Sequence, residues 1–113
     1  MSKLPSSVRI GSQVWDVSEQ KRKHSSDEGH YGFTNPKDNT IVIDSELPLS
    51  MKRTTLVHEL LHAIKITFGG SFQPAKSTDF IEWEHYFIGL YEEPITMIIR
   101  DNPELVGFLL ADD

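Results

Sequence analysis

The chain has 113 residues, with 17 acidic side chains against 11 basic ones, so it has the length of one domain and lacks the positive charge that a nucleic-acid binder needs. Hydrophobic residues make up 38% of the sequence and charged residues 25%, which is typical of a globular chain and argues against a disordered one. There is no cysteine, so disulfides, thiolate metal sites and cysteine nucleophiles are excluded, and any metal must be bound by histidine and carboxylate side chains.

The N-terminal residues and the lack of long apolar runs predict a loose N-terminus and the cellular location of the protein. Residues 1–7 are mostly small and polar and include Pro5, so we expect a loose lead-in to a single domain over residues 1–113. No apolar run has the length of a signal peptide or a membrane span. We therefore expect a soluble, cytoplasmic protein without a membrane or nucleic-acid partner.

A first β-hairpin is predicted near the N-terminus. Residues 8–10 and 14–17 alternate apolar and polar side chains on either side of Gly11, which accepts the positive φ of tight turns. Residues 18–30 include no apolar side chain and predict a solvated loop after the hairpin.

A second hairpin is predicted after this loop. Residues 31–34 and 40–44 flank five residues, Asn-Pro-Lys-Asp-Asn at 35–39, that are typical of turns. The two hairpins predict one small antiparallel sheet in the first half of the chain.

A helix is predicted over residues 51–68, where apolar side chains recur every three or four residues. Ser50 is positioned to cap its start, and Gly69 and Gly70 are positioned to end it. Because apolar side chains surround most of its circumference, we expect a central helix rather than a surface one.

A second helix is predicted to start near Thr78 or Asp79, after a loop that contains Pro74. Pro94 is expected to kink or interrupt it. Its buried stripe is predicted to comprise Phe80, Trp83, Phe87 and Tyr91.

A short terminal helix is predicted over residues 103–110. Asn102 followed by Pro103 is typical of a helix start, with a capping residue and then proline in the first turn. Two hairpins followed by three helices predict the α+β class.

The predicted central helix contains the sequence His-Glu-Leu-Leu-His at residues 58–62. Residues four apart lie about 40° apart around a helix axis and one turn along it, so His58 and His62 can bind one divalent ion, most often zinc. Glu59 sits beside the first ligand, where it can take a proton from a water that the metal activates without binding the metal itself. This is the geometry of metal-assisted hydrolysis.

Chance explains this motif poorly, because a shuffled chain of the same composition would contain roughly 0.014 copies of it. The alternative is that His58 and His62 are ordinary histidines without an ion and that Glu59 is a solvated carboxylate.

A third metal ligand is expected, because a catalytic zinc site needs three protein ligands and an open position for water. Candidates lie in Glu-Trp-Glu-His at residues 82–85, on the next predicted helix. Glu84 flanks the predicted apolar stripe and can turn inward, whereas Glu82 and His85 share another face. Less favoured alternatives are Glu92 and Glu93 on the same helix and His24 and His30 in the polar loop.

The sequence resembles the gluzincin-type zincin metallopeptidases, in which a His-Glu-x-x-His helix is completed by a glutamate on a later helix. It is more similar to small metallopeptidase-like proteins of phages and prophages, and more distantly similar to immunity-region metallopeptidases and SprT-like proteases. The matching segments are Tyr-Gly at 31–32, Ile-Val-Ile-Asp at 41–44, Thr-Leu-Val-His-Glu-Leu-Leu-His-Ala at 55–63 and Arg-Asp-Asn-Pro-Glu-Leu-Val at 100–106.

The resemblance implies a minimal zincin-like domain with a small antiparallel sheet, a central metal-binding helix and a second helix that carries the third ligand. Counting back from Asn102 in the phage-type pattern puts that ligand at Glu84, although His85 stands where a second glutamate is common, so both remain candidates. The resemblance also implies that the strand at 41–44 is the sheet edge on which a peptide substrate lies.

Together these observations predict a zinc-dependent hydrolase, specifically a small metalloendopeptidase whose substrate is a protein or peptide. His58, His62 and Glu84 would bind the zinc, and Glu59 would be the catalytic base. A phage-encoded enzyme would act in the cytoplasm of its host. The alternative is a non-catalytic phage accessory or interaction module with a structural zinc site, closed by a fourth side chain such as His85.

Overall fold

A four-stranded mixed sheet and three helices form the part of the chain that this computed structural model describes, residues 3–21, 31–69 and 80–111. The elements are β1 (Ser7–Ile10), β2 (Gln13–Gln20), β3 (Gly32–Asn35), β4 (Thr40–Asp44), α1 (Leu49–Phe68), α2 (Phe80–Asp101) and α3 (Pro103–Leu110). The α+β class is therefore confirmed. Outside the described residues lie most of the predicted polar loop with His24 and His30, and the predicted start of the second helix at Thr78 or Asp79 with Pro74 before it.

Both predicted hairpins are confirmed. Strands β1 and β2 pair antiparallel around Gly11, whose φ of +63° explains the glycine. A Cβ at this position would also lie 2.9 Å from the end of the Phe68 ring, so a larger residue would have to displace that ring. Strands β3 and β4 pair antiparallel, and Asn39 has a φ of 54° in the turn between them.

The prediction of a purely antiparallel sheet is wrong, because the two hairpins join through a parallel pairing of β2 with β4. The strand order is β1-β2-β4-β3, so β4 is internal and β3 lies at an edge. Each inner strand has buried residues at alternate positions, and the pairing sets Val17 beside Ile41 in the core. Strand β2 continues to Gln20, so the first residues of the predicted loop are strand residues with exposed side chains.

Helix α1 packs only one face on the sheet and exposes the opposite face. The expectation that α1 is a central helix, buried around most of its circumference, is therefore wrong. Leu56, Leu60, Ala63 and Ile64 are buried, whereas Val57 is 39% exposed. The helix ends at Phe68 as predicted but begins at Leu49, and Pro48 is its N-cap. The predicted Ser50 cap is wrong, because Ser50 lies inside the first turn.

Helix α2 passes through Pro94 and continues to Asp101, so Pro94 does not interrupt the helix, which was one of the two outcomes expected there. Leu90, Pro94 and Ile98 lie one turn apart and are all buried, so packing of this face against the rest of the protein supports the helix through the proline. The predicted stripe is also wrong at Phe87, which is 46% exposed. Phe87 instead stacks on Trp83, with ring centroids 5.8 Å apart.

Helix α3 has the predicted bounds and proline in its first turn, but Asn102 is not a side-chain cap. The Asn102 side chain is directed to β1, where its Oδ1 accepts a hydrogen bond from Arg9 N at 2.7 Å and its Nδ2 donates to Arg9 O at 2.9 Å. Nδ2 also donates to Ile98 O at 2.9 Å. One buried amide therefore pairs with the outer edge of the sheet as a strand residue would, and it links that edge to the end of α2.

The N-terminal lead-in is not loose over residues 4–7, which corrects that expectation. Leu4 packs against the core, Pro5 is buried and Ser6 O accepts a hydrogen bond from Val17 N at 2.9 Å. Within the described residues, no helix is long and apolar enough to cross a lipid bilayer.

Replacing Asn102 with alanine is expected to destabilise the protein by about 2–4 kcal/mol, because the change leaves polar groups of Arg9 and Ile98 without this partner. Urea unfolding measures the effect, and Asn35→Ala is the matched control because the Asn35 side chain makes only an exposed hydrogen bond with Lys37 N. Equal stability of the two variants would contradict the structural role assigned to Asn102.

Candidate metal centre

The two histidines of the motif lie one turn apart on the exposed side of α1. Their Nε2 atoms are 3.2 Å apart, and the His58 side chain is 67% exposed. Two nitrogen ligands of a tetrahedral zinc ion, each about 2.0–2.1 Å from the metal, stand about 3.3 Å apart. The two imidazoles therefore have the separation that a shared zinc ion requires.

The same separation suits a hydrogen bond between two neutral imidazoles, of which one donates and the other accepts. The ring planes are inclined by 71° with their centroids 4.9 Å apart, so the rings do not stack face to face. Both arrangements use Nε2 of each ring, and metal content is the measurement that separates them.

Glu59 is directed away from the solvent, towards β3. It is 5% exposed, and its Oε1 accepts a hydrogen bond from Thr34 Oγ1 at 2.5 Å. Its other carboxylate oxygen, Oε2, lies 3.9 Å from His58 Nε2. The carboxylate thus lies beside His58, as expected from the sequence, and its hydrogen bond comes from Thr34 on the sheet.

Gly32 allows β3 to approach this carboxylate closely. A Cβ at residue 32 would lie 3.1 Å from Glu59 Oε2, 3.0 Å from Glu59 Cγ and 2.9 Å from Thr55 Cγ2. Any larger residue would have to displace the glutamate or the strand. Neither Gly32 nor Thr34 was predicted as a site residue, although Gly32 belongs to the Tyr-Gly segment of the sequence resemblance. The alternate spacing Gly-x-Thr in one strand is the local signal that relates the two residues.

The favoured third-ligand candidates, Glu84, Glu82 and His85, lie on the first half of α2 and are exposed. The less favoured Glu92 and Glu93 are exposed in its second half. Within residues 3–21, 31–69 and 80–111, no three or more histidine, aspartate or glutamate side chains are gathered so that they could hold a metal ion. The structure therefore brings together His58, His62 and Glu59 but does not bring Glu84 or its two rivals to the histidine pair.

The strand expected to hold a peptide substrate is not at the sheet edge. Strand β4 is hydrogen-bonded to β2 on one side and to β3 on the other, so the implied role for residues 41–44 is wrong. Strand β3 pairs only with β4 among the described strands, and it is the strand that contacts Glu59. The edge next to the candidate site is therefore β3.

Tyr91 and Arg100 are polar side chains on the second half of α2. Burial, and secondarily the neighbouring Tyr86, raises the pKa of the Tyr91 phenol above 10.0, which keeps Tyr91 protonated and able to donate a hydrogen bond. Arg100 is exposed near the end of α2.

Comparison with known proteins assigns no family. The sequence matches no protein-family model, no curated protein and no solved structure. A function for this chain therefore has to be inferred from its own residues and geometry.

Elemental analysis of protein purified without added metal, and again after zinc is supplied, is expected to give about one zinc per chain. His58→Ala or His62→Ala should weaken zinc binding by about 100-fold or more, because even changes around the ligands cost 10–100-fold. Glu84→Ala should do the same, with Glu82→Ala and His85→Ala as matched controls on the same exposed half of α2.

A parent protein that takes up no zinc would refute the shared zinc site and leave the hydrogen bond as the explanation of the 3.2 Å separation. Loss of zinc in Glu82→Ala or His85→Ala, but not in Glu84→Ala, would reassign the third ligand.

Proposed function

We propose that the protein is a zinc-dependent hydrolase, specifically a small metalloendopeptidase that acts on a protein or peptide. One observation carries this proposal: a buried carboxylate, Glu59, lies beside two histidine nitrogens whose 3.2 Å separation fits a shared zinc ion. If the protein is phage-encoded, as the sequence resemblance suggests, the enzyme acts in the cytoplasm of the host.

His58 and His62 would hold the zinc through their Nε2 atoms, and we propose Glu84 as the third ligand, with Glu82 and His85 as alternatives. Bound zinc would lower the pKa of a water molecule towards neutrality and polarise the carbonyl that the water attacks. Glu59 would accept the proton of that water and then donate it to the leaving amine. No covalent bond to the protein is needed.

The accessibility of the histidine pair favours a catalytic site over a structural one. Structural zinc sites are closed by four protein ligands, whereas catalytic sites leave a position open for water or substrate. The His58 side chain is 67% exposed, so the histidine pair is open to water and substrate, which supports the hydrolase over a non-catalytic interaction module with a closed site.

The edge of β3 supports a peptide as the substrate. A strand at a sheet edge has backbone groups that an extended peptide can pair with, and such pairing needs no particular side-chain sequence. Since the Thr34 side chain of the same strand contacts Glu59, a peptide on this edge would pass close to the proposed base.

Glu59→Gln is expected to keep its zinc but to lose activity by about 100-fold or more, the usual contribution of a general base. The assay incubates zinc-loaded protein with a pool of peptides of varied sequence and detects new peptide ends by mass spectrometry. Glu104→Gln is the matched control, because Glu104 is exposed on α3.

A Glu59→Gln variant as active as the parent would refute the role of Glu59. A parent that holds one zinc per chain and cleaves none of the peptides would favour the interaction module.

A further inference from the structure

We propose that Thr34 is a positioning residue for the Glu59 carboxylate, and that Gly32 leaves the space in which the carboxylate is held. This inference rests on the proposed function, because it concerns the base of that reaction. It assigns a role to strand β3 beyond its place in the sheet.

The Thr34 hydroxyl contacts only one of the two Glu59 carboxylate oxygens, so the two oxygens have different surroundings. Oγ1 lies 2.5 Å from Glu59 Oε1 and 3.3 Å from Glu59 O, and the single hydroxyl proton is best donated to the nearer, charged oxygen. Oε1 is then engaged by the sheet, whereas Oε2 faces His58 Nε2 at 3.9 Å. Oε2 is therefore the oxygen assigned to accept the proton.

Gly32 and Thr34 act on the same side chain because alternate residues of a strand face the same side. The hydroxyl of Thr34 holds one carboxylate oxygen, and the absent side chain at Gly32 leaves room for the other, 3.1 Å from where a Cβ would be. The strand thus limits the carboxylate from two directions.

A base on a flexible side chain benefits from such a contact. The glutamate side chain has three rotatable bonds, so holding it in one conformation costs conformational entropy. A hydrogen bond to a fixed partner offsets that cost in the folded protein, so the carboxylate is already positioned when the substrate binds. The Glu59 carboxylate accepts a hydrogen bond from Thr34 at 2.5 Å, whereas His58 Nε2 lies 3.9 Å from it, beyond hydrogen-bond distance.

The first experiment uses metal-free protein and measures the side-chain conformation of Glu59 by three-bond NMR couplings across χ1. The parent and Thr34→Ser should show one rotamer, whereas Thr34→Val and Thr34→Ala should show averaging, because only the first two retain the hydroxyl. Thr40→Val is the matched control: the Thr40 hydroxyl donates to Asp38 on the exposed surface and does not touch Glu59. Couplings in Thr34→Val equal to those of the parent would overturn the proposal.

The second experiment measures zinc content and peptide cleavage in the same variants. Zinc content should be unchanged, since Thr34 is not a ligand, while kcat falls by about tenfold or more in Thr34→Val with KM unchanged and recovers in Thr34→Ser. A parental kcat in Thr34→Val, or a loss that Thr34→Ser shares, would overturn the proposal. An inactive parent would instead refute the hydrolase, and the couplings in metal-free protein would still decide whether Thr34 holds Glu59.

Discussion

The orientation of α1 on the sheet is the constraint on which the rest of the structure depends. Successive residues of a helix are separated by about 100° around its axis, so a helix that turns Glu59 towards β3 sets His58 about 100° and His62 about 60° from Glu59, on the exposed side of α1. The apolar residues that pack α1 on the sheet are Leu56, Leu60, Ala63 and Ile64. At Gly32 a Cβ would lie 2.9 Å from the Thr55 side chain and 3.0 Å from the Glu59 side chain, so a larger residue would have to displace them. Core packing therefore sets the environment of each residue of the motif.

The two parts of the motif consequently lie in opposite surroundings. The histidine pair is exposed, where an ion and a substrate can reach it, whereas the carboxylate between the histidines in sequence is 5% exposed. A buried carboxylate is costly unless it is hydrogen-bonded, and the hydroxyl of Thr34 supplies that bond. The same contact that makes burial tolerable also fixes where the carboxylate lies, so stability and the proposed chemistry depend on one strand.

Local signals predicted the elements, and long-range contacts decided how they assemble. Gly11 and the turn at 35–39 marked the hairpins, and Asn102 with Pro103 marked α3, because each signal acts within a few residues of itself. Alternation in a strand shows which side chains are buried but not which strand is the neighbour, so the parallel pairing of β2 with β4 was not predictable. Likewise, the sequence around Asn102 is typical of a helix cap, but its side chain hydrogen-bonds Arg9, 93 residues away, and no local pattern predicts that contact.

The same distinction between local signals and long-range contacts applies to the candidate site. His58, Glu59 and His62 belong to one helix, so their spacing alone predicted their proximity, whereas Thr34 meets Glu59 across 25 residues and had no motif to mark it. Glu84 was favoured because it flanks an expected buried stripe through Phe87, which is instead 46% exposed. Helix α2 is anchored through Leu90, Pro94 and Ile98 in its second half, so amphipathic spacing does not determine which face of its first half meets a neighbour. The spacing of residues along α2 therefore could not predict that Glu84 lies exposed and apart from the histidine pair.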